Sequence, residues 1–328
     1  MTKNVLAANK GILGTRTEYK PFQYEWAFDY YQMQNKIHWI PEEVLLHEDI
    51  KDWNLRLSDD DKALLQDLFM LFTQSDVDVA KGYVENYMPW FKLPELRMMM
   101  LSIGNTEAIH QHAYAYLIDT LGFEESIYSA FNDYKVMVDK HEYVTQYKVT
   151  DIPSLMKSLA VYSGFTEGLH LFSSFAILLN FSRFNRMKGM GQIVTWSIRD
   201  EELHIEAMTK VFRTLVKENI QYWTDDFKKE IYDICRTMVK LEDAFIDNAF
   251  KDYKIEGITA EEAKSYIRFI ADRRLLQLGL KTNYDMRESP LDWMEDMLSG
   301  IEHTNFFENR ATEYSKGAMT GSWQDVWK

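Results

Sequence analysis

Glu followed three residues later by His occurs three times in this chain, at Glu107/His110, Glu167/His170 and Glu201/His204. With only eight histidines present, about 0.6 such pairs are expected by chance when matches are counted along the chain. On a helix, positions i and i+3 share a face, so a carboxylate and an imidazole at this spacing can grip one metal ion together. A single pair is weak evidence, because an exposed helical Glu and His fit the same pattern. The intervals between pairs say more. Asp76 stands 31 residues before Glu107, and Glu167 stands 34 residues before Glu201. Two helices joined by a turn bring the chain back to the same height after such an interval, at about 1.5 Å of rise per residue. The unit of acid, hairpin and Glu-x-x-His thus occurs twice. Asp76, Glu107, His110, Glu167, Glu201 and His204 can then converge at the middle of a bundle as the ligands of two metal ions.

In this scheme the acid of the Glu167/His170 pair is used but its imidazole has no hairpin partner, so His170 is assigned a core or supporting role. Asp78 is the rival of Asp76, but it points to a different helix face and its interval to Glu107 matches the second unit less well. Four carboxylates, two imidazoles and no thiolate suit iron foremost, with manganese or a mixed manganese–iron pair accepted by the same ligands. Copper(I) is suited far less well by this donor set, and positions are left open for dioxygen. Burying so much carboxylate without cations would be very costly.

Tyr114 lies four residues after His110 and seven after Glu107, which returns it to the same helix face. A phenol beside a dioxygen-activating metal pair can give up an electron and a proton. A tyrosine of this kind can also be plain core, one of the 19 in the chain.

Long helices are needed to hold these groups, and the sequence supplies them. The 328 residues include only 14 Gly and 6 Pro, which favours long helices over many short strands. Ser58-Asp59-Asp60-Asp61 caps a helix start; Pro89 and Pro94 end that helix and open the next, over about 95–121, which stops at Gly122. Further helices are predicted over about 124–147, 154–183, 187–219, 225–251 and 259–280, and a short one from Ser289-Pro290 to near Gly300. The stretch 154–183 is apolar nearly all round and should be central. Residues 1–38 form an aromatic-rich arm over the body, and 301–328 a tail without periodicity. The fold class is all-α, with one helical domain over 1–300.

Lys and Arg number 37 against 51 Asp and Glu, a net charge of −14. That balance argues against a nucleic-acid or anionic-membrane surface, and no apolar stretch is long enough to span a bilayer. The single cysteine, Cys235, excludes an internal disulfide and a cysteine metal cluster and is read as a small buried thiol. With no signal-peptide pattern at the start, the expected setting is cytoplasmic.

The pattern Asp76…Glu107-Ala-Ile-His110…Glu167…Arg199-Asp200-Glu201-Glu202-Leu203-His204 resembles the radical-generating small subunit of class I ribonucleotide reductase, from about Trp39 to Tyr314. The resemblance implies a ferritin-like bundle with flanking helices. In it Asp76, Glu107 and His110 hold one metal, Glu167, Glu201 and His204 hold the other, and Glu107 and Glu201 bridge. It implies that Tyr114 stores a radical, that Trp39 and Asp200 relay it through His110, and that Tyr314 passes it to a separate large catalytic subunit bound by the tail. Phe306, Phe307, Trp323 and Trp327 are aromatic anchors for that contact. A homodimer, and in some relatives a flavoprotein activator, are implied as well. Leu171 and Phe175 match the apolar shield around the radical, whereas Ser197, one turn before Glu201, is polar where an aliphatic group is expected. In some relatives the oxidised metal pair itself holds the oxidising equivalent. Two other readings use the same bundle: a stand-alone di-metal oxidase or acyl desaturase, which has no use for Trp39 or the tail, and a ferritin-like iron store, about half this length.

Overall fold

The computed structural model describes residues 11–298 except 131, 132, 252 and 254, and leaves the side chains of 71–76 and 78 undescribed. Tyr314, Phe306, Phe307, Trp323 and Trp327 therefore lie outside the described residues, and for Asp76 only the backbone is described. Ten α-helices position the site: α1 (Glu25–Lys36), α2 (His47–Leu55), α3 (Asp59–Gly82), α4 (Pro94–Thr120), α5 (Lys135–Thr145), α6 (Ile152–Leu159), α7 (Phe172–Arg183), α8 (Lys188–Glu218), α9 (Asp225–Lys251) and α10 (Ala260–Gln277). No strand forms among the described residues, only one isolated bridge between Thr15 and Lys92. No described helix is long and apolar enough to cross a membrane.

The helix starts follow their local chemistry. Ser58 and Asp61 exchange the two bonds of a capping box at the head of α3: Asp61 N donates to Ser58 Oγ at 3.1 Å and Ser58 N to Asp61 Oδ2 at 3.2 Å. Pro94 opens α4 at the position where its missing N–H costs nothing. Thr259 and Glu262 repeat the capping box at α10. The head of α8 is different, because Met187 there has a left-handed φ of 51° and no side-chain cap of its own. Carboxylates from α2 take the free amides instead. Asp49 accepts from Gly189 N and Met190 N, and Asp52 from Met187 N, each at 2.8 Å. Gly189 permits that approach, since a Cβ would sit 2.7 Å from Asp49 Oδ2 and 2.9 Å from Leu45 O.

The predicted central helix is central: every residue from Ser158 to Phe181 is buried. It is not one α-helix, however. Between α6 and α7 the backbone widens into π-type turns over Ala160–His170, and α3 likewise passes into π-type turns at Tyr83–Tyr87. Around this core lie α3, α8, α9 and α10, with α4 packed between α3, α1 and α8.

Two expectations are corrected. The helix expected over 124–147 is broken: a single turn at Ile127–Ala130 precedes α5, and Tyr134 between them is extended. The tether is tertiary, for Tyr134 donates its hydroxyl to Asp67 Oδ1 on α3 at 2.8 Å. The segment 1–38 contains a proper helix, α1, which buries Ala27 and Tyr30 and lies along α4. The compact unit ends at Pro290; the residues from Leu291 fall in a second unit, in which 292–298 are helical. Cys235 is free and buried, and burial pushes its thiol up to about 12.

Candidate metal centre

Glu107, His110 and Tyr114 come from one face of α4, Glu167 from the π-type segment, and Ser197, Asp200, Glu201 and His204 from α8. Each is at most 1% exposed. The two carboxylates Glu107 and Glu201 lie between the two imidazoles. His204 Nδ1 is 2.9 Å from Glu107 Oε1 and 3.5 Å from Glu201 Oε2; His110 Nδ1 is 3.2 Å from Glu201 Oε1 and 3.8 Å from Glu107 Oε2. The rings stack 6.2 Å apart at 30°. Glu107, Glu201 and His204 offer three ligand atoms within 4.8 Å of one another. Of the six predicted ligands, five are thus described as buried side chains, and Asp76 is described only as a backbone position on α3.

The electrostatics are those of a site that wants cations. Burial works against the charged ring of His204, but its contacts with Glu107 and Glu201 win and raise it to about 10. Burial likewise opposes charge on His110, and the neighbouring carboxylates of Asp200, Glu107 and Glu201 hold it well above the usual imidazole range. Glu107 feels the same burial, yet the two imidazoles bring its carboxyl below the ordinary range. Glu167 goes the other way: burial and the neighbouring charges of Glu107 and Glu201 push it far up. Both oxygens of Glu107, Oε1 of Glu167, Oε2 of Glu201 and both ring nitrogens of His204 are buried with no hydrogen-bond partner. Buried polar atoms are rarely left so, and a divalent cation would satisfy them together. Metal residence fits the residues present.

Beside this cluster Asp200 joins two rings. Its Oδ2 accepts from Trp39 Nε1 at 2.8 Å and faces His110 Nε2 at 3.2 Å, while Arg199 binds its Oδ1 and the carbonyl of Ile37. Trp39 is buried against Trp196, ring centroids 5.1 Å apart. Tyr114 donates its hydroxyl to Ser197 Oγ at 3.3 Å, so the polar departure seen in the sequence is the tyrosine's hydrogen-bond partner. Leu171 and Phe175 are buried. His170 is buried too; burial and the charge of Lys140 hold its ring neutral, and a bond to the Met238 backbone fixes it. Two residues escaped the sequence reading. One is Trp196. The other is Tyr83, whose hydroxyl donates to Glu167 Oε2 at 3.3 Å. A signal for Tyr83 existed: it follows Asp76 by seven residues, as Tyr114 follows Glu107.

The family model described as "Ribonucleotide reductase, small chain" matches residues 16–290. The chain belongs to the ribonucleotide reductase small-chain family. It is an oxidoreductase chain, the small subunit of a class I ribonucleoside-diphosphate reductase. A probable ribonucleoside-diphosphate reductase small subunit of Invertebrate iridescent virus 6 is 40% identical to this small subunit, over 96% of this chain and 98% of its own length. A ribonucleotide reductase subunit from Clostridium botulinum has the same fold, with a TM-score of 0.83 at 22% identity over 88% of this chain and 94% of that one. The dimanganese(II) NrdF of Streptococcus sanguinis superposes with a TM-score of 0.74 at 19% identity over 83% of this chain and 94% of its own. The reductase small subunit is thus an all-α, ferritin-like bundle with flanking helices.

Proposed function

We propose that this small subunit holds two metal ions per chain between α3, α4, the π-type segment and α8, and generates there the radical with which a large catalytic subunit reduces ribonucleotides. The observation that carries this reading is the fully buried set Glu107, His110, Glu167, Glu201 and His204, with acceptor atoms left unpaired. Asp76, Glu107 and His110 are assigned to one ion, Glu167, Glu201 and His204 to the other, with Glu107 and Glu201 shared; their places between the two imidazoles support the sharing. Iron is the metal proposed first, with manganese or a manganese–iron pair held by the same donors. When bound, the metals supply one-electron oxidation of a nearby side chain at the expense of dioxygen.

The rest falls to this chain's own residues. Tyr114 gives up an electron together with its phenolic proton and stores the radical; before oxidation its hydroxyl donates to Ser197 Oγ. The depth of the site keeps water and reductants away from it. The relay then runs through His110, Asp200 and Trp39, in which the carboxylate fixes the indole N–H and the imidazole against one oxygen atom. Tyr314 completes it on the tail, 301–328, which binds the large subunit. The subunit is proposed to work as a homodimer in the cytoplasm, with a flavoprotein activator as a further partner.

Metal analysis and electron paramagnetic resonance on freshly activated protein test the core of this reading. Two ions per chain and an organic radical are expected. Truncation after Gly300 separates it from the neighbouring activities: the reductase subunit keeps its metals and loses turnover with its partner, whereas a desaturase, a stand-alone oxidase or an iron store keeps its activity.

A further inference from the structure

The helix that carries Glu167 does not keep one pitch. It widens into π-type turns over Ala160–His170 and closes again at Phe172. Where i→i+5 pairing gives way to i→i+4 pairing, carbonyls outnumber the amides available to them by one, and a buried carbonyl without a donor is costly. Two side-chain cations donate to carbonyls of this stretch. Arg274 Nε donates to Gly168 O at 2.8 Å, and Lys140 Nζ donates to His170 O at 3.0 Å. Gly168 makes the first contact feasible, since a Cβ there would lie 2.8 Å from Arg274 Nε and 3.1 Å from its Cδ.

Each cation is seated on a carboxylate from another helix. Arg274, from α10, binds both oxygens of Glu202 on α8. Lys140, from α5, lies 2.7 Å from Glu242 on α9, which also accepts from Ser173 Oγ just past the junction. Arg274, Lys140 and Glu242 are buried, and Glu202 is part-exposed. Pairs this deep are poor sources of stability, because lost hydration offsets their attraction. Burial pushes Lys140 down and Glu242 up, the direction that disfavours both charges. Their value is geometric. Relaxing the junction into unbroken α-helix slips the register by one residue, a rotation of about 100°, which turns the Glu167 carboxylate away from Glu107 and Glu201.

We propose that Arg274 and Lys140, seated on Glu202 and Glu242, are positioning residues: by capping the Gly168 and His170 carbonyls they hold the widened register that aims Glu167 at the metal centre. The inference deepens the proposed function and rests on its reading of Glu167 as a ligand.

The test is titration of the metal-free full chain with Mn(II), counting unbound ion by electron paramagnetic resonance, together with hydrogen exchange of peptides covering 160–172. The wild type binds two ions and Glu167→Ala loses one. The double variant Lys140→Met/Glu242→Met removes both charges at once and so leaves no unpaired buried charge; it loses the donor to His170 O, binds one ion roughly 10- to 100-fold more weakly and exchanges faster over 160–172. Lys140→Arg restores both readouts. Gly168→Ala, which displaces Arg274, gives the same weakening. If Glu167→Ala still binds two ions, the ligand reading fails and the clamp with it. If Glu167→Ala loses an ion while the double variant and Gly168→Ala bind both with wild-type affinity and exchange, the clamp alone is overturned. Should the double variant not fold, Gly168→Ala decides: wild-type affinity there overturns the clamp.

Discussion

Trp39 and His110 meet on one oxygen atom of Asp200: the indole N–H at 2.8 Å and the imidazole Nε2 at 3.2 Å. That single oxygen ties the imidazole of the candidate metal centre to the indole of the proposed relay. It also directs His110 Nδ1 toward Glu107 and Glu201, because the nitrogen engaged by the carboxylate is the one that keeps its proton. Asp200→Asn should retain two metals per chain with about tenfold weaker affinity and lower turnover with the large subunit by about 100-fold. Metal-to-protein ratio and deoxyribonucleotide formation measure the two effects. Turnover within about threefold of wild type would remove Asp200 from the relay.

The protons now on the site must leave when metals enter. His204, raised to about 10 by Glu107 and Glu201, is protonated in the metal-free protein at neutral pH, and the surroundings that raise His110 and Glu167 favour their protonated forms as well. Metal binding therefore releases protons, and apparent affinity rises with pH until the raised pKa values are passed. Calorimetric titration in two buffers of different ionisation enthalpy should report on the order of one or more protons released per ion. Affinity that is flat from slightly acid to mildly alkaline pH contradicts the assignment.

Tyr114→Phe should leave metal loading intact and abolish the tyrosyl resonance. Removing one hydroxyl of a neutral pair costs about 1 kcal/mol of stability, so the variant folds. Ser197→Ala keeps the tyrosine but takes away the hydrogen bond to Ser197 Oγ, and the high-field position of the radical signal should move. A tyrosyl signal that persists in Tyr114→Phe assigns the radical elsewhere.

Tyr83→Phe deprives Glu167 Oε2 of a donor and leaves both oxygens of that buried acid to the metals alone. The phenyl ring fills the same space, so the thermal midpoint should change little. Loss of an orienting bond to a ligand weakens affinity by about tenfold, read by Mn(II) titration against Tyr114→Phe as a control that should not shift.

Glu201→Ala should lower metal occupancy by elemental analysis, since this carboxylate reaches toward both imidazoles at 3.2 and 3.5 Å. Unchanged stoichiometry refutes its shared role.

What could be read in the chain was what is periodic or local. The Glu-x-x-His spacing, the Ser58 cap and the apolar run around Glu167 are written in neighbouring residues, and the structure buries Glu107, His110, Glu167, Glu201 and His204 and closes the cap. The break before α5 was hidden because it depends on Tyr134 reaching Asp67, two helices away in sequence. The head of α8 was hidden for the same reason: its caps, Asp49 and Asp52, lie some 140 residues upstream. The widened turns over Ala160–His170 have no signature in residue spacing, because helical periodicity reads much the same through them, and their capping cations sit on other helices. Trp196 gave no sign, since its importance lies in touching Trp39 and in nothing about its own neighbourhood. Tyr83 did carry a sign, its seven-residue interval from Asp76, which went unread.

The lone thiol has a bearing on how long an oxidant could persist here. Cys235 is sealed within the fold, and burial pushes its ionisation up to about 12, so hardly any of it is thiolate at neutral pH. With no other sulfhydryl in the chain, the subunit brings no readily oxidised thiolate of its own to compete for the proposed radical. Sacrificial quenching by cysteine must come from outside the molecule, in a reductant small enough to reach the centre or a partner that opens a way to it.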